Sequence, residues 1–131
     1  MGWDAAEVPD PQDPATFARS KLDWSESEVG RHARLLETYR QLIRLRHDEP
    51  DLCDPAFAAL SAQADEETRV FTLRRGSLVI AVNFSDVPAT VPTSGELLFT
   101  TPTAATLDDT GLGLPAHAGA MVRETCAEPM S

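Results

Sequence analysis

The sequence predicts an α+β chain in which a loop and one long helix precede a small antiparallel β-sandwich. Two observations support this prediction. Apolar residues recur every three to four positions from about residue 25 to residue 47, which is the period of an amphipathic helix. From residue 69 onward, short apolar and β-branched runs alternate with Gly, Pro, Asp and Ser, as in an antiparallel sandwich.

Residues 1–24 are predicted to be mainly loop. Pro9, Pro11 and Pro14 each fix the backbone dihedral φ and lack an amide donor, so this stretch is unsuited to a central strand. A short helical turn is expected around residues 15–19, with Pro14 at its first position. A loop of this length is uncommon in a compact domain unless it is functional or connects two parts of a structure.

The long helix is predicted to begin at a capping box. Ser25 would cap the first turn and Glu28 would return to the cap residue, as in the S/T-x-x-E pattern. The helix is expected to run to about His47, and Pro50 is expected to end it. Its apolar stripe is wide, so a helix of this length requires a large partner surface.

Residues 51–68 are predicted to form a transition, with a possible short helix over 56–62. A hairpin follows, with strands at 69–74 and 77–84 and a turn at Gly76. Three phenylalanines are expected to lie in the core of the β domain: Phe71, Phe84 and Phe99. The remaining strands are expected at 89–91, 96–101, 111–114 and 118–123.

Composition excludes some partners and favours one location. The chain has 131 residues, of which 42% are hydrophobic, and its net charge of −10 is unfavourable for binding nucleic acid. Cys53 and Cys126 form no CxxC motif, and the chain has neither a secretory signal nor a long apolar run. We therefore expect reduced thiols, a cytoplasmic protein and no membrane partner.

The residues alone do not predict a catalytic centre. The neighbouring acids Glu66/Glu67 and Asp108/Asp109 lie in polar segments and lack the apolar wall that raises the pKa of a catalytic acid. The three histidines have no ligand spacing: His32, His47 and His117. Neither a metal nor a cofactor is therefore predicted.

Three residues of the acidic loop have two possible roles. Asp10, Gln12 and Asp13 either form turns or, because Trp3, Phe17 and Trp24 are near in sequence, contribute to a sugar-binding site. We predict them as substrate-binding residues.

A family resemblance adds to this interpretation. Residues 8–24, Val-Pro-Asp-Pro-Gln-Asp-Pro-Ala-Thr-Phe-Ala-Arg-Ser-Lys-Leu-Asp-Trp, resemble the malto-oligosyltrehalose trehalohydrolases of the α-amylase superfamily. The resemblance extends over essentially the whole chain, and its further segments lie at 32–36, 39–46, 49–52, 78–85 and 114–117. Thr38 departs from the family pattern, in which an aromatic residue is expected, and this difference concerns packing only.

The resemblance implies a fold and an activity. The family has a (β/α)₈ barrel followed by a C-terminal β-sandwich, and it hydrolyses the α-1,4 bond next to the terminal trehalose unit of maltooligosyltrehalose. Its catalytic aspartates and glutamate lie upstream of the part that this chain resembles, so no catalytic residue is assigned here. The chain is thus expected to be a fragment that is inactive alone, with the missing barrel as its packing partner and maltodextrin as the substrate of the intact enzyme.

The resemblance also divides the chain. Residues 1–50 are expected to be the loop after barrel strand 8 and the final barrel helix, 51–68 a connector, and 69–131 the C-terminal all-β domain. Two other interpretations remain open: a stand-alone carbohydrate-binding or interaction module, and a non-functional truncated remnant.

Overall fold

The computed structural model describes residues 10–125. Trp3, Val8 and Pro9 of the acidic loop, and Cys126, lie outside the described residues. The chain forms two compact units, Met1–Leu36 and Glu37–Ser131. Each unit is described by itself below.

Helices precede strands, as the sequence predicts. The helices are α1 (Pro14–Ser20), α2 (Gly30–Asp48) and the single turn α3 (Pro50–Cys53), with 3-10 turns at Trp24–Glu28 and Phe57–Ala59. The strands are β1 (Leu60–Asp65), β2 (Val70–Arg75), β3 (Leu78–Asn83), β4 (Ala89–Val91), β5 (Gly95–Thr100), β6 (Thr106–Asp108), β7 (Gly111–Leu114) and β8 (Gly119–Glu124).

In the first unit, aspartates begin both short helical elements. Pro14 occupies the first position of α1 as predicted, and Asp13 caps that helix by accepting a hydrogen bond from the amide of Ala15 at 2.8 Å. The predicted capping box at residues 25–28 is wrong. Asp23 is the cap residue and starts a 3-10 turn, and α2 begins only at Gly30, whose φ of 59° is readily adopted by glycine.

The second unit is an antiparallel β-sandwich built around a small apolar core. One sheet has the order β1-β2-β3-β8-β5 and the other has the order β4-β7-β6. The core cluster lies between them and consists of Ala81, Val91, Ala105, Leu112, Leu114, Ala118, Ala120 and Val122. The sandwich predicted from short strands and Gly/Pro turns is therefore present.

Two strands were not anticipated from the sequence. β1 occupies a region for which a short helix over 56–62 was considered, and β6 lies between two predicted strands. In β1, Leu60, Ala62 and Ala64 alternate with polar residues, but alanine has a low strand propensity, so the local signal is weak. Its strand conformation depends on pairing with β2 along its full length, which a local pattern does not reveal.

Candidate functional site

The predicted sugar-contacting residues form a turn followed by a helix cap. Asp10 accepts a hydrogen bond from the amide of Gln12 at 2.9 Å, and the amide of Asp13 donates to the carbonyl of Asp10 at 3.2 Å. All three side chains are exposed. The structure therefore brings Asp10, Gln12 and Asp13 together within one turn, and sugar contact by these residues stays a prediction.

The pKa values of several carboxyl groups are lowered, whereas a glycosidase acid has a raised pKa. For Asp108, the hydroxyl and then the amide of Thr110 donate to the carboxylate and lower its pKa. For Asp65, hydrogen bonds from Thr68 and Glu67 lower the pKa in the same way. These carboxylates organise turns, and their electrostatics are unlike those of a general acid.

Helix α2 has an apolar stripe without a cover in the part of the chain that the structure describes. None of its residues is buried. Tyr39 is 60% exposed and Ile43 is 55% exposed, and the other members of this exposed helix stripe are Leu35 and Leu42. A stripe of this kind is the usual packing face of a helix, and here that face is uncovered within residues 10–125.

The β domain has a second apolar surface, on the side of its larger sheet that faces away from the core. This outer face carries Phe71, Leu73, Leu78, Ile80, Val82 and Met121. Leu78 and Met121 are buried, whereas the other four side chains are only half-buried.

The predicted core position is wrong for Phe84, which is 62% exposed at the end of β3, while Phe71 and Phe99 are half-buried.

An ion-pair cluster joins the end of the helical segment to the outer face. Arg123 on β8 donates to the carboxylate of Glu49, which is only 6% exposed, and also to Glu96 at 2.7 Å. The hydrogen bonds that Arg123 donates to Glu49, together with the charges of both glutamates, raise the pKa of Arg123, although burial acts in the opposite direction. The guanidinium thus holds the segment after α2 against the sheet.

A second polar contact lies at the β2–β3 turn. Asp51 accepts hydrogen bonds from the amide of Ser77 at 2.7 Å and from its hydroxyl at 2.8 Å, and these bonds lower the pKa of Asp51. Gly76 has a φ of 55°, and any Cβ at that position would collide with the carboxylate of Asp51. Sequence patterns predict no role for Glu49, Asp51 or Arg123, although residues 49–51 lie within a segment that carries the family resemblance.

Comparison with protein-family models identifies the family to which the β domain belongs. The family model described as "Domain of unknown function (DUF3459)" matches residues 55–121. The chain belongs to the DUF3459 family. This family is the C-terminal domain of α-amylase-family proteins, which agrees with the antiparallel sandwich described above.

Curated relatives that match nearly the whole of this chain confirm the resemblance to the trehalohydrolases. The chain is 46% identical over 128 residues to a malto-oligosyltrehalose trehalohydrolase of Mycobacterium tuberculosis (strain CDC 1551 / Oshkosh), covering 98% of this chain and 22% of that protein. It is 45% identical over 125 residues to the malto-oligosyltrehalose trehalohydrolase of Rhizobium sp. (strain M-11), covering 95% of this chain and 21% of that protein. The chain thus spans about a fifth of the length of the curated relatives it matches.

Solved structures give the same fold. A putative α-amylase from Salmonella typhimurium matches with a TM-score of 0.65 at 27% identity, over 90% of this chain and 20% of that one. The α-amylase from H. orenii matches with a TM-score of 0.60 at 20% identity, over 88% of this chain and 25% of that one, and shows the fold alone. Within residues 10–125, no helix has the length and apolar content needed to cross a bilayer.

Proposed function

We propose that this chain is the C-terminal part of a cytoplasmic glycosidase that hydrolyses the α-1,4 bond next to the terminal trehalose unit of maltooligosyltrehalose and releases trehalose. The observation that carries the proposal is the 46% identity to a malto-oligosyltrehalose trehalohydrolase over 98% of this chain. Residues 1–50 would be the loop after barrel strand 8 and the last barrel helix. The chain would be inactive alone because the catalytic acids lie in the missing barrel.

The exposed helix stripe supports the proposed packing partner. Leu35, Tyr39, Leu42 and Ile43 are each more than one third exposed, although they lie on one side of a 19-residue helix. Complete burial of a large apolar side chain typically contributes about 1.5–3 kcal/mol, so covering four of them would be a substantial gain. A catalytic barrel that precedes this chain would provide such a cover.

The outer face of the β domain supports the same partner. Four of its apolar side chains are half-buried, and Arg123 and Asp51 fix the segment after α2 against this sheet. In the intact enzyme, this ion-pair cluster would set the position of the β domain relative to the barrel end. Under this proposal, Asp10, Gln12 and Asp13 would lie on the active-site side of the barrel and contact the maltodextrin substrate, since barrel loops after the strands build the active site.

A chimera tests the proposal directly. The residues of the Mycobacterium tuberculosis relative that align with this chain would be replaced by residues 1–131, and trehalose release from maltooligosyltrehalose would be measured. We expect release by the chimera and none by the purified chain. A matched control chimera would carry the corresponding C-terminal segment of the H. orenii α-amylase, which shares the fold at 20% identity.

Two results would contradict the proposal. A chimera that folds, as judged by a single cooperative unfolding transition, yet releases no trehalose would argue against the trehalohydrolase assignment. Turnover by residues 1–131 alone would contradict the inactivity of the isolated chain.

A further inference from the structure

The two sheets of the sandwich differ in width, which leaves one side of it open. The larger sheet ends in β1 and β2, and the smaller sheet ends in β4. On the opposite side, β5 lies against β6 and closes the sandwich. β1 and β2 therefore extend past the edge of the smaller sheet, and the uncovered space forms a groove of about 970 Å³.

The floor of this groove belongs to β1 and β2. Thr72 on β2 is paired with Gln63 on β1 and with the buried core residue Ala81 on β3. On this inward face, Val70 still packs against the core, whereas Thr72 and Gln63 are polar, so the face becomes more polar beyond β3. Arg69 and Glu67, from the β1–β2 turn, lie at one end of the groove.

The opposite wall is residues 85–92, and it is braced by buried polar groups. The amide of Asn83, whose side chain is fully buried, donates to the carbonyls of Val87 at 2.8 Å and Pro115 at 3.0 Å. The hydroxyl of Ser85 donates to Val87 at 2.9 Å and accepts from its amide at 3.0 Å. A wall fixed in this way lowers the entropic cost of binding a ligand.

The polar groups of the floor are available to a ligand. Within residues 10–125, the side chains of Gln63, Thr72, Glu67 and Arg69 make no hydrogen bond or ion pair, in contrast to Arg74, which is paired with Glu124. Together they offer amide, hydroxyl and guanidinium donors beside amide and carboxylate acceptors. Val87 and Pro88 add apolar surface on the wall.

We propose that this groove binds an α-1,4-glucan chain; the choice of glucan rests on the proposed function. A hydroxyl-rich neutral ligand matches a floor that mixes donors and acceptors over an apolar wall. The volume lies at the upper end of the range of about 300–1,000 Å³ for small-molecule sites, sufficient for several sugar units. A peptide adding a strand is disfavoured at β4, because Pro88 and Pro92 flank it.

The experiment is a titration of the purified 131-residue chain with maltoheptaose, followed by amide chemical shifts. Expected are saturable shifts in β1, β2 and residues 85–92. Gln63→Ala and Glu67→Ala should each weaken binding by about fivefold, as expected for the loss of one hydrogen bond. Gln41→Ala, which removes the same side chain from exposed helix α2, is the matched control and should leave binding unchanged.

Several outcomes would overturn the proposal. These are the absence of shifts at saturating maltoheptaose, shifts confined to the surroundings of Phe57 or Phe84, and an equal response to cellohexaose, which would contradict an α-glucan site. The experiments distinguish glucan binding in the groove from the proposed function. If the chimera releases trehalose but maltoheptaose causes no chemical-shift change, only glucan binding in the groove is contradicted. If maltoheptaose binds saturably but the chimera is inactive, only the glycosidase assignment is contradicted.

Discussion

Different kinds of interaction stabilise the helical segment, residues 10–48, and the β-sandwich, residues 60–124. Within residues 10–48, side chains bond to near neighbours, as Asp13 does to the amide of Ala15 and His32 does to Glu26. In the sandwich they join distant residues, such as Asn83 with Pro115 and Arg74 with Glu124. The sandwich buries an apolar core, whereas no residue of α2 is buried. The β domain thus has its own core, and the apolar side chains of α2 stay exposed within residues 10–125.

The largest predicted effect is the loss of a core side chain from the sandwich. Leu112 is 0% exposed in the core cluster, so Leu112→Ala should lower the free energy of unfolding by about 3 kcal/mol. Leu35→Ala removes the same atoms from α2, where the residue is 51% exposed, and should change it by less than about 0.5 kcal/mol. Urea unfolding followed by circular dichroism at the strand band measures both. Equal losses of unfolding free energy in Leu112→Ala and Leu35→Ala would contradict the difference between the sandwich core and helix α2.

A buried polar residue should have the next largest effect. Asn83 is fully buried, donates to three backbone carbonyls and accepts a hydrogen bond from the amide of Ser85 at 2.9 Å. Asn83→Ala would leave these buried groups unsatisfied and should cost about 2 kcal/mol. Asn83→Asp keeps the acceptor but loses the donors, so it should also destabilise the sandwich. Gln41→Ala on α2 provides the control, and a neutral Asn83→Ala variant would show that water satisfies these groups instead.

The polar contact between the two regions should depend on pH. The bonds from the amide and then the hydroxyl of Ser77 lower the pKa of Asp51 in the folded state. Asp51 therefore stabilises the fold above its unfolded pKa of about 3.9, and this contribution is lost as the pH falls through the lower folded value. Asp51→Asn should consequently lower the urea midpoint at pH 7 and have a smaller effect at pH 3. A gap of equal size at both pH values would show that the charge contributes nothing.

The sequence predicts the sandwich well where local signals are strong. The β2–β3 hairpin has β-branched runs around Gly76, and its turn requires a positive φ, so both strands were found. β1 is not predicted because its alternating residues are mostly small and weak in strand propensity, and its pairing with β2 is not visible in a local pattern. The start of α2 was misplaced because Asp23 and Ser25 both fit the cap position, and only the structure shows which one accepts the amide hydrogen bond.

The site was less predictable than the fold. The Asn83 brace and the contact of Arg123 with Glu49 join residues that are far apart in sequence, and no spacing rule brings them together. The exposure of the helix stripe is not predictable from the sequence for a different reason. Periodicity predicts an apolar stripe on the long helix, but a periodic pattern predicts a packing face without identifying its partner.

The substitutions with the smallest expected effect on the stability of the isolated chain lie in the exposed stripe of α2. Tyr39 and Ile43 are exposed on α2, so Tyr39→Glu and Ile43→Glu should change the free energy of unfolding of the isolated chain by less than about 0.5 kcal/mol. The same substitutions should reduce binding of the dye ANS, because they remove exposed apolar surface. In the chimera with the Mycobacterium tuberculosis barrel they should be strongly destabilising, since they would bury a charge at a helix packing face. Arg44→Glu, at an exposed neighbouring position that already carries a charge, is the control in both settings. If Ile43→Glu destabilises the isolated chain as much as the chimera, the stripe already has its partner within residues 1–131, and α2 does not need a barrel to cover it.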